Sequence, residues 1–399
     1  MNDTAAQTLP LDGIRVVEFC QTIMGPSAGL ILADLGADVI KVEPAPDGDK
    51  TRRLHGFAAG FFGAFNRNKR GFAANLKSDD GRAAVHKLLE TADVVIENYA
   101  PGTVEKLGCG YEDCKKINPR IIYCALKGFL SGPYEDRPAL DEVVQYMAGL
   151  AYMTGPPGRP LRAGSSVVDI MGGTYAVVGI QAALRDRDRT GEGQFVKSAL
   201  FESTAFLMTQ HLVGGAVTGQ EQPPMPGRVG AWAIYETFET SDEQRIFIGL
   251  TSDNHWRRYC EKFERQDLLN EPSLKTNEDR VRARDVTLPI VAEITKRHTL
   301  AEMSKICEEI EIPFSPVARP EDLTEDPQLN AGDRMLKVEL DNAPTTKVPR
   351  RPVEIGDHDF KLRRQPPKIG EHTREILAEL GYKEGDIERM NDAGTIVTH

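Results

Sequence analysis

One aspartate in the middle of the chain has the setting of a nucleophile. Asp169 stands between Val167-Val168 and the run Ile170-Met171-Gly172-Gly173, where a helix is predicted to begin. A carboxyl group with an ordinary pKa near ~4 is ionised at neutral pH, so it can attack a carbonyl carbon without a helper base. Backbone N–H groups at the helix start would stabilise its charge, and the two glycines would admit a substrate. The plain alternative is a helix N-cap, which is common and contributes about 1 kcal/mol.

A basic run in an otherwise acidic chain predicts a place for an anionic ligand. Residues 66–70 read Asn-Arg-Asn-Lys-Arg, and Lys77 follows. The chain holds 49 Lys and Arg against 60 Asp and Glu, a formal charge of −11, which argues against nucleic-acid or anionic-membrane partners. An anionic ligand therefore needs a local basic pocket, and cationic groups at strand ends suit phosphates. A solvated surface loop is the alternative interpretation of this run.

A third candidate group follows a short apolar strand pattern. Val95-Ile96-Glu97 leads into Asn98-Tyr99 and then into a Pro101-Gly102 turn. In a parallel sheet, Asn98 and Tyr99 would project from the carboxyl end of this strand, where such sheets bind ligands. They would then contact the adenine or the pantetheine part of a ligand, whereas an ordinary turn is the alternative.

Other common site patterns are missing from the sequence. There is no phosphate-binding G-x-x-x-x-G-K-[ST], no H-E-x-x-H and no G-x-S-x-G, and the eight histidines are scattered singly, so no metal site is indicated. A dinucleotide site is not favoured, because the loop after the first strand lacks G-x-G-x-x-G, although Glu43 stands where a ribose-binding acid would. The six cysteines form no C-x-x-C pair, which predicts reduced, packed thiols in a cytoplasmic protein.

The candidate residues must be positioned by an α/β fold. Strand and helix patterns alternate from residue 14 onward, which predicts a Rossmann-like, doubly wound parallel sheet. The predicted strands lie at residues 14–19, 38–42, 93–97, 120–125 and 193–199. The predicted helices lie at residues 27–35, 81–91, 113–117, 172–185 and 201–213, and a final helix lies at 371–380.

The length predicts more than one domain. The chain has 399 residues, beyond the roughly 250–300 at which a single core stops growing. A Pro- and Gly-rich stretch at 220–230 has the composition of a linker, and no apolar run reaches the ~18–20 residues of a membrane span. We predict a large α/β domain at 1–219, a linker at 220–234, a small α+β domain at 235–311, a second linker at 312–320, and a segment at 321–399 that returns to the large domain.

Short blocks of sequence along the chain, taken in order, resemble those of the class III CoA-transferases, the family that includes formyl-CoA transferase and carnitine CoA-transferase. The resemblance covers nearly the whole chain, and it depends on the order and spacing of many blocks rather than on any one. The blocks are Leu11 to Val16, Gly25-Pro26, Leu35 to Glu43, Gly48-Asp49, Thr51-Arg52, Asn66 to Arg70, Asp93 to Gly102, Asn118 to Arg120, Asp169 with Gly172-Gly173, Thr190 to Gln194, and Gly370 to Thr373.

The resemblance implies a mechanism, a binding site and an assembly. Asp169 would attack an acyl-CoA carbonyl and become in turn a mixed anhydride and an aspartyl-CoA thioester, moving CoA to a carboxylic acid with no metal and no permanently bound cofactor. The family forms an interlocked, ring-like homodimer, and a compact two-domain monomer is the alternative. The implied CoA contacts are Gln21, Thr22, Ala74, Lys77, Asn98, Tyr99, Thr103, Lys106, Leu107 and Arg137.

This sequence departs from the family at two places. Pro44 follows Glu43 where the family often has an arginine that contacts the nucleotide. The glycine-rich loop of formyl-CoA transferase has only a weak substitute at residues 227–230.

Two other functions remain as alternatives. Acyl-CoA racemases of the same fold carry a Gly-His-Asp-type segment where this chain has Ala139-Leu140-Asp141-Glu142, and Leu140 cannot exchange a proton. A non-catalytic acyl-CoA-binding protein would not need Asp169 in its Gly-Gly setting, although Asp141 or Glu142 could be the reactive carboxylate instead. Arg52 and Arg53 favour succinyl-CoA as donor and a small dicarboxylate as acceptor, unless they are surface charge.

Overall fold

The structure is a computed structural model that describes residues 8–228, 230–340 and 343–399. The chain divides into two compact units. The first comprises Met1–Pro226 together with Gln328–His399, and the second is Gly227–Pro327. Every residue that the sequence nominates for catalysis or CoA binding belongs to the first unit.

The first unit begins with alternating strands and helices. Its strands in this part of the chain are β1 (Arg15–Phe19), β2 (Asp38–Pro44), β3 (Arg70–Ala74), β4 (Val94–Glu97), β5 (Ile122–Lys127) and β6 (Phe195–Ala199). Its helices here are α1 (Met24–Asp34), α2 (Phe61–Phe65), α3 (Asp79–Leu89), α4 (Thr103–Lys106), α5 (Tyr111–Ile117), α6 (Asp141–Met147), α7 (Leu150–Thr154), α8 (Val167–Thr190), α9 (Leu200–Leu207) and α10 (Thr209–Thr218). The helix predicted at 201–213 is two helices, α9 and α10, which meet at Met208.

The second unit is a small α+β fold. Its strands are β7 (Ile234–Glu239), β8 (Arg245–Leu250) and β9 (Phe314–Pro316), which pair antiparallel in the order β7-β8-β9. Its helices are α11 (Asp253–Lys262), α12 (Gln266–Leu269), α13 (Asn277–Arg282), α14 (Arg284–Thr295) and α15 (Leu300–Glu309). Ile246, Ile248, Trp256 and Met303 lie in its apolar core.

The C-terminal part of the chain adds further elements to the first unit. They follow α16 (Pro327–Asn330) and comprise β10 (Met335–Leu340), β11 (Ala343–Pro349), α17 (Thr373–Glu379), α18 (Glu384–Asp392) and β12 (Ile396–Val397). β10 and β11 form an antiparallel pair. The helix predicted at 371–380 is present as α17, but it is not the final one, because α18 follows it and buries Ile387 and Met390.

The strands of the first unit form one seven-stranded sheet in the order β12-β3-β2-β1-β4-β5-β6. Its neighbouring strands run parallel except β12, which pairs antiparallel with β3. The strand order reverses at β1, which lies between β2 and β4. In a doubly wound sheet the loops on either side of such a reversal open a crevice at the carboxyl ends of the strands. The predicted fold class is confirmed.

Both faces of this sheet are covered by helices, which explains why its strands are continuous apolar runs. Val16 and Val17 are neighbours on β1 and belong to different apolar clusters, because successive side chains of a strand point to opposite faces. α1 and α8 cover the face of Val16, whereas α3 and α17 cover the face of Val17. The six cysteines are all buried and free, and burial raises the pKa of Cys20.

Helix α8 is the element that carries Asp169. By length and composition it is apolar enough to cross a membrane, but 44% of its apolar window is buried within the fold. Val168, Val177 and Ile180 of α8 pack in the cluster with α1. This core position accounts for the apolar character of the helix. The helix also begins at Val167, five residues before the predicted start at 172.

Candidate active site

Two loops flank the point where the strand order reverses. Gln21 and Thr22 follow β1, and Asn98 and Tyr99 follow β4. The Asn98 side chain joins these loops, because its Oδ1 accepts the backbone N–H of Gln21 at 2.9 Å and its Nδ2 donates to the Gln21 carbonyl at 2.7 Å. Thr22 has a left-handed backbone with φ of 70°, a strained conformation for a β-branched residue that is frequent at functional sites. The two hydrogen bonds of Asn98 therefore hold the two loops together at the edge of the crevice.

A cleft of about 1020 Å³ opens beside these loops. This volume is in the range that binds cofactors and other small molecules. The helices α6 and α8 supply charged side chains to its wall, while Phe57 and Phe61 supply apolar surface. The cleft brings together the predicted residues Gln21, Thr22, Asn98, Tyr99, Arg137 and Asp169.

Asp169 lies in the first turn of α8 with its side chain in the wall of the cleft. The possibility that Asp169 is the helix N-cap is wrong, because Ser166 occupies the N-cap position and Asp169 lies three residues into the helix. Among the described residues no hydrogen bond to the Asp169 carboxyl group is found, and its pKa responds to burial and to the charges of Asp141 and Arg162. A carboxylate that is placed in a cleft without a structural partner is free to act as a nucleophile.

The start of α8 is held by a carboxylate from α6. Asp141 Oδ2 accepts the backbone N–H of Val168 at 3.0 Å and that of Asp169 at 3.1 Å. These N–H groups belong to the first turn, where a helix has no internal acceptors, and a negative charge there also complements the helix dipole. Asp141 is only 8% exposed, so its contacts are shielded from water. Asp141 thereby fixes where α8 begins and how Asp169 is presented.

The second oxygen of Asp141 is also occupied. Asp141 Oδ1 accepts from Gln145 Nε2 at 2.5 Å and lies 3.5 Å from Arg162 Nη2. Gln145 in turn accepts the backbone N–H of Ala163 at 2.9 Å, which joins α6 to the segment that leads into α8. Because both oxygens of Asp141 have structural partners, the geometry favours Asp169 over Asp141 as the reactive carboxylate.

The environment of Asp169 disfavours its charged form. Burial is the largest effect, the charge of Asp141 adds to it, and Arg162 opposes both; together they raise the pKa of Asp169 to about 7. A strongly shifted carboxyl group in a cleft is typical of a functional site. Its ionised form is poorly solvated and therefore a stronger nucleophile than a carboxylate in water.

Gly172 and Gly173 have a packing role instead of the predicted role of admitting a substrate. A Cβ atom on Gly173 would lie 2.2 Å from Ser27 Oγ and 2.6 Å from the Met24 carbonyl oxygen, and one on Gly172 would lie 2.5 Å from Met24 Cε. Both glycines therefore allow α1 to approach α8 closely. The expectation that they make room for a ligand is wrong.

The basic run at 66–70 is a buried ion-pair system. Its five residues are at most 3% exposed. Arg67 pairs with Asp34 at 2.7 Å, Lys69 pairs with Glu18 at 2.7 Å, and Arg70 pairs with Asp38 at 2.6 Å. Both interpretations of this run, a phosphate-binding edge and a solvated loop, are wrong, because β3 is an internal strand and carboxylates of α1, β1 and β2 neutralise its charges.

The remaining predicted CoA contacts do not line the cleft. Ala74 ends β3 and is 1% exposed, and Lys77 lies exposed in the loop that follows. Thr103 and Lys106 begin and end α4, and Leu107 comes directly after it. Because β3 and β4 are parallel strands of one sheet, these residues lie along its carboxyl edge beyond the cleft.

Arg52 and Arg53, on which the prediction of a dicarboxylate substrate rests, both bind other residues of the protein. Arg52 pairs with Glu43 at 2.6 Å and lies over the Phe62 ring, 3.6 Å from its centroid. Arg53 donates to the Asp47 carbonyl. Neither arginine lines the cleft of Asp169, so neither supports a substrate preference.

Sequence reasoning missed Gln145 and Arg162 as members of the site. Gln145 is four residues after Asp141 on α6, and this spacing predicts a contact along one helix face. Arg162 has no comparable signal, since the path of its loop depends on packing between distant elements. Among the residues that the structure describes, no cluster of His, Cys, Asp and Glu could hold a metal ion.

Comparison with known proteins finds relatives along nearly the whole chain. The model of CoA-transferase family III matches residues 11–373. The succinate–glutarate CoA-transferase of Agrobacterium fabrum is 35% identical over 394 residues, covering 95% of this chain and 98% of that protein. The succinyl-CoA:mesaconate CoA-transferase of Haloarcula marismortui is 32% identical over 94% of this chain and 97% of its own. The crystal structure of a CaiB/BaiF family protein from Brucella suis superposes with a TM-score of 0.84 at 34% identity, covering 94% of this chain and all of that chain.

Proposed function

This chain belongs to CoA-transferase family III, and on that premise we propose that it moves CoA from succinyl-CoA to a small dicarboxylic acid, with Asp169 as the nucleophile. The observation that carries the proposal is the unpaired Asp169 carboxyl group in a cleft at the strand reversal. The relatives named for succinate, glutarate and mesaconate support the choice of substrates.

The first half of the reaction loads CoA onto the protein. An oxygen of Asp169 attacks the thioester carbonyl carbon, a C–O bond forms, the C–S bond breaks, and CoA leaves as its thiolate. The thiolate sulfur then attacks the Asp169 carbonyl carbon of this mixed anhydride. A C–S bond forms, the bond between the Asp169 carbonyl carbon and the bridging oxygen breaks, and the donor leaves with that oxygen as a free carboxylate.

The second half runs the same steps in reverse on the acceptor. An acceptor carboxylate attacks the aspartyl-CoA thioester and displaces the CoA thiolate, giving a new mixed anhydride. The thiolate then attacks the acceptor carbonyl carbon and releases the Asp169 carboxylate. Every intermediate keeps an activated acyl group, and the cycle transfers no net proton.

The CoA group would extend from the cleft along the carboxyl edge of the sheet. Its thioester end must reach Asp169. Gln21, Thr22 and Tyr99 line the same cleft. Asn98 supports this edge through its bonds to the Gln21 backbone. The nucleotide end would continue past Arg137 in the cleft toward the other predicted contacts, namely Ala74, Lys77, Thr103, Lys106 and Leu107. Lys77, Lys106 and Arg137 supply positive charge that the phosphates need.

The proposal includes an assembly and a location. Helix α10 has no buried residue, and its Leu212 and Val217 are 69% and 81% exposed. Apolar surface of this kind is typical of an interface, and a second copy of the chain would cover it, which supports the homodimer. The free, buried thiols support a cytoplasmic location.

Racemase chemistry lacks its histidine at residue 140 of this chain. Leu140 occupies the position where racemases have histidine, and it is 70% exposed in the cleft wall. Inversion at a carbon next to a thioester needs an acid and a base on opposite faces, and leucine supplies neither.

Intact-protein mass spectrometry after brief incubation with succinyl-CoA tests the proposal. The wild-type protein should gain the mass of CoA less one water, and hydroxylamine should remove it. Asp169→Ala should gain nothing, while Glu142→Gln, an exposed acid of the same cleft, should load normally. Glutarate added to the loaded protein should discharge it and yield glutaryl-CoA.

Two results would contradict the proposal. An adduct on Asp169→Ala would place the nucleophile elsewhere. A wild-type protein that remains unmodified by succinyl-CoA and by a panel of other acyl-CoA thioesters would point to a binding role without turnover.

A further inference from the structure

The cleft has three cationic side chains in its described lining, and they have different partners. Lys127 Nζ is fully committed to structure: it lies 2.6 Å from Glu97 Oε1 and donates to Glu97 Oε2 and to the Tyr99 carbonyl, both at 2.8 Å. Arg137 lies over the Tyr134 ring, 4.9 Å from its centroid, in an exposed loop. Arg162 remains as the cation next to the proposed nucleophile.

Arg162 uses only one end of its guanidinium group within the described chain. Its Nη2 contacts Asp141 Oδ1 at 3.5 Å and the Ser165 carbonyl at 3.2 Å, both longer than an ordinary charge-assisted hydrogen bond. Its Nε is buried without a partner. The hydrogen bonds found for Arg162 among the described residues all come from Nη2 and none from Nη1. The side chain is 26% exposed and lines the cleft, so a ligand can reach the outer nitrogens Nη1 and Nη2 but not the buried Nε.

Asp141 positions both Arg162 and Asp169. Arg162 Nη2 lies on one oxygen of Asp141, while the backbone N–H of Asp169 binds the other oxygen. The two residues therefore lie on opposite sides of one carboxyl group, and the charge of Arg162 acts on the Asp169 carboxyl. A substrate carbonyl that contacts Asp169 would have its acyl chain within the field of this guanidinium.

We propose that Arg162 binds the distal carboxylate of the dicarboxylic acyl group while Asp169 attacks its thioester carbonyl, and so selects dicarboxylic over monocarboxylic substrates. The inference rests on the proposed function and assigns its substrate class to a named residue. A guanidinium presents a planar fork of donors that matches a carboxylate, and it keeps its charge at all relevant pH values. A methyl group at the same place would leave these donors unpaired in a partly buried site, which disfavours the monocarboxylic analogue.

The rates at which succinyl-CoA and butyryl-CoA load the protein provide the test. Butyryl-CoA has the same chain length and lacks only the distal carboxylate. The wild-type protein should load faster from succinyl-CoA by about 100-fold. In Arg162→Gln the succinyl-CoA rate should fall by about 100-fold while the butyryl-CoA rate changes less than about threefold, so that the preference disappears. Loading is followed at about pH 8.5, where Asp169 is ionised in each protein.

Arg159→Gln is the matched control, since Arg159 is an exposed arginine of the same loop outside the cleft lining. It should keep both rates. Arg162→Lys keeps the charge without the planar fork, so it should retain part of the preference.

The outcomes separate this inference from the proposed function. An equal loss with both donors in Arg162→Gln and Arg162→Lys would show that Arg162 only supports Asp141, and would overturn the inference. Equal wild-type rates with the two donors would overturn it as well. A wild-type protein that no acyl-CoA loads would contradict the proposed transferase activity itself.

Discussion

The backbone N–H of Asp169 donates a hydrogen bond to the Asp141 carboxylate at 3.1 Å. The same carboxylate adds negative charge beside the Asp169 carboxyl group and so contributes to its raised pKa. Asp141 therefore presents the proposed nucleophile and at the same time makes its ionisation harder. Arg162 opposes the electrostatic part of this effect, since its positive charge favours the ionised form of Asp169.

Replacement of Asp141 by asparagine should show how much the hydrogen bonds of its carboxylate stabilise the fold. If the oxygen of the new amide accepts the N–H groups of α8, its NH₂ group faces Gln145 Nε2 and Arg162 Nη2. All three groups are donors, so these hydrogen bonds are lost. Gln145 cannot rotate to accept, because its oxygen already binds the Ala163 N–H. We expect Asp141→Asn to lower the free energy of unfolding by about 1–3 kcal/mol, measured by urea denaturation.

The neighbouring acid provides the control for this variant. Glu142 is exposed in the same cleft, and Glu142→Gln removes the same charge without a capping bond. Its unfolding free energy should change by less than about 0.5 kcal/mol. Equal effects of the two substitutions would show that the bonds of Asp141 to α8 do not stabilise the fold.

The rate of CoA loading should rise with pH through the pKa of Asp169. Only the ionised carboxyl attacks, and its pKa is about 7, so the rate constant at low succinyl-CoA should rise about tenfold per pH unit below 6 and level off above 8. Mass spectrometry of quenched samples measures this rate. A profile that is flat from about pH 5 upward would mean that Asp169 keeps an ordinary pKa.

Charge-removing variants should shift this profile in opposite directions. The Asp141 charge raises the pKa of Asp169, so Asp141→Asn should move the midpoint to lower pH. The Arg162 charge lowers it, so Arg162→Gln should move the midpoint to higher pH. Shifts of the same sign would contradict the electrostatic account of the site.

The fold of the first unit was accessible from the sequence because its signals are local. Strands β1, β2 and β4 are short apolar runs between turn residues, and their alternation with helices requires a parallel sheet. The start of α8 was misplaced by five residues, since the acceptor for its first N–H groups comes from Asp141, in another helix. A cap that is supplied from a distant element leaves no pattern in the sequence near the helix start.

Asp169, the predicted nucleophile, lies in the wall of the cleft, whereas the basic run was misinterpreted. The sequence displays the residue type of Asp169, a carboxylate that can act as a nucleophile, although its glycine neighbours serve packing. The fate of Arg67, Lys69 and Arg70 depends on carboxylates contributed by three other elements. Net charge along a segment does not show whether its charges face a ligand or are neutralised in the interior.

The burial of Asp169 should have a measurable cost to stability. Its folded pKa of about 7 lies above the ordinary value of 3.8, so the folded state binds the proton more tightly than the unfolded state. The wild-type protein therefore loses stability as pH rises from about 4 to 7, and it bears the full cost above that range. Asp169→Asn removes the charge and should stabilise the fold by about 1–4 kcal/mol at pH 8 and by little at pH 4. Urea denaturation at the two pH values measures the difference; a stabilisation that does not depend on pH would contradict the raised pKa.

The two glycines of α8 should respond differently to alanine, because different atoms block the added methyl group. At Gly173 the obstacle includes the Met24 carbonyl oxygen of the α1 backbone, at 2.6 Å from the new Cβ, so the two helices would have to move apart. At Gly172 the obstacle is Met24 Cε, the end of a flexible side chain, which can rotate away. Alanine also favours a helix by about 1 kcal/mol over glycine. We expect Gly173→Ala to lower the unfolding free energy by about 1–3 kcal/mol and to slow CoA loading, because Asp169 lies one turn away on the same helix. Gly172→Ala should be near neutral in both measurements, and the reverse order would show that α1 and α8 are packed differently.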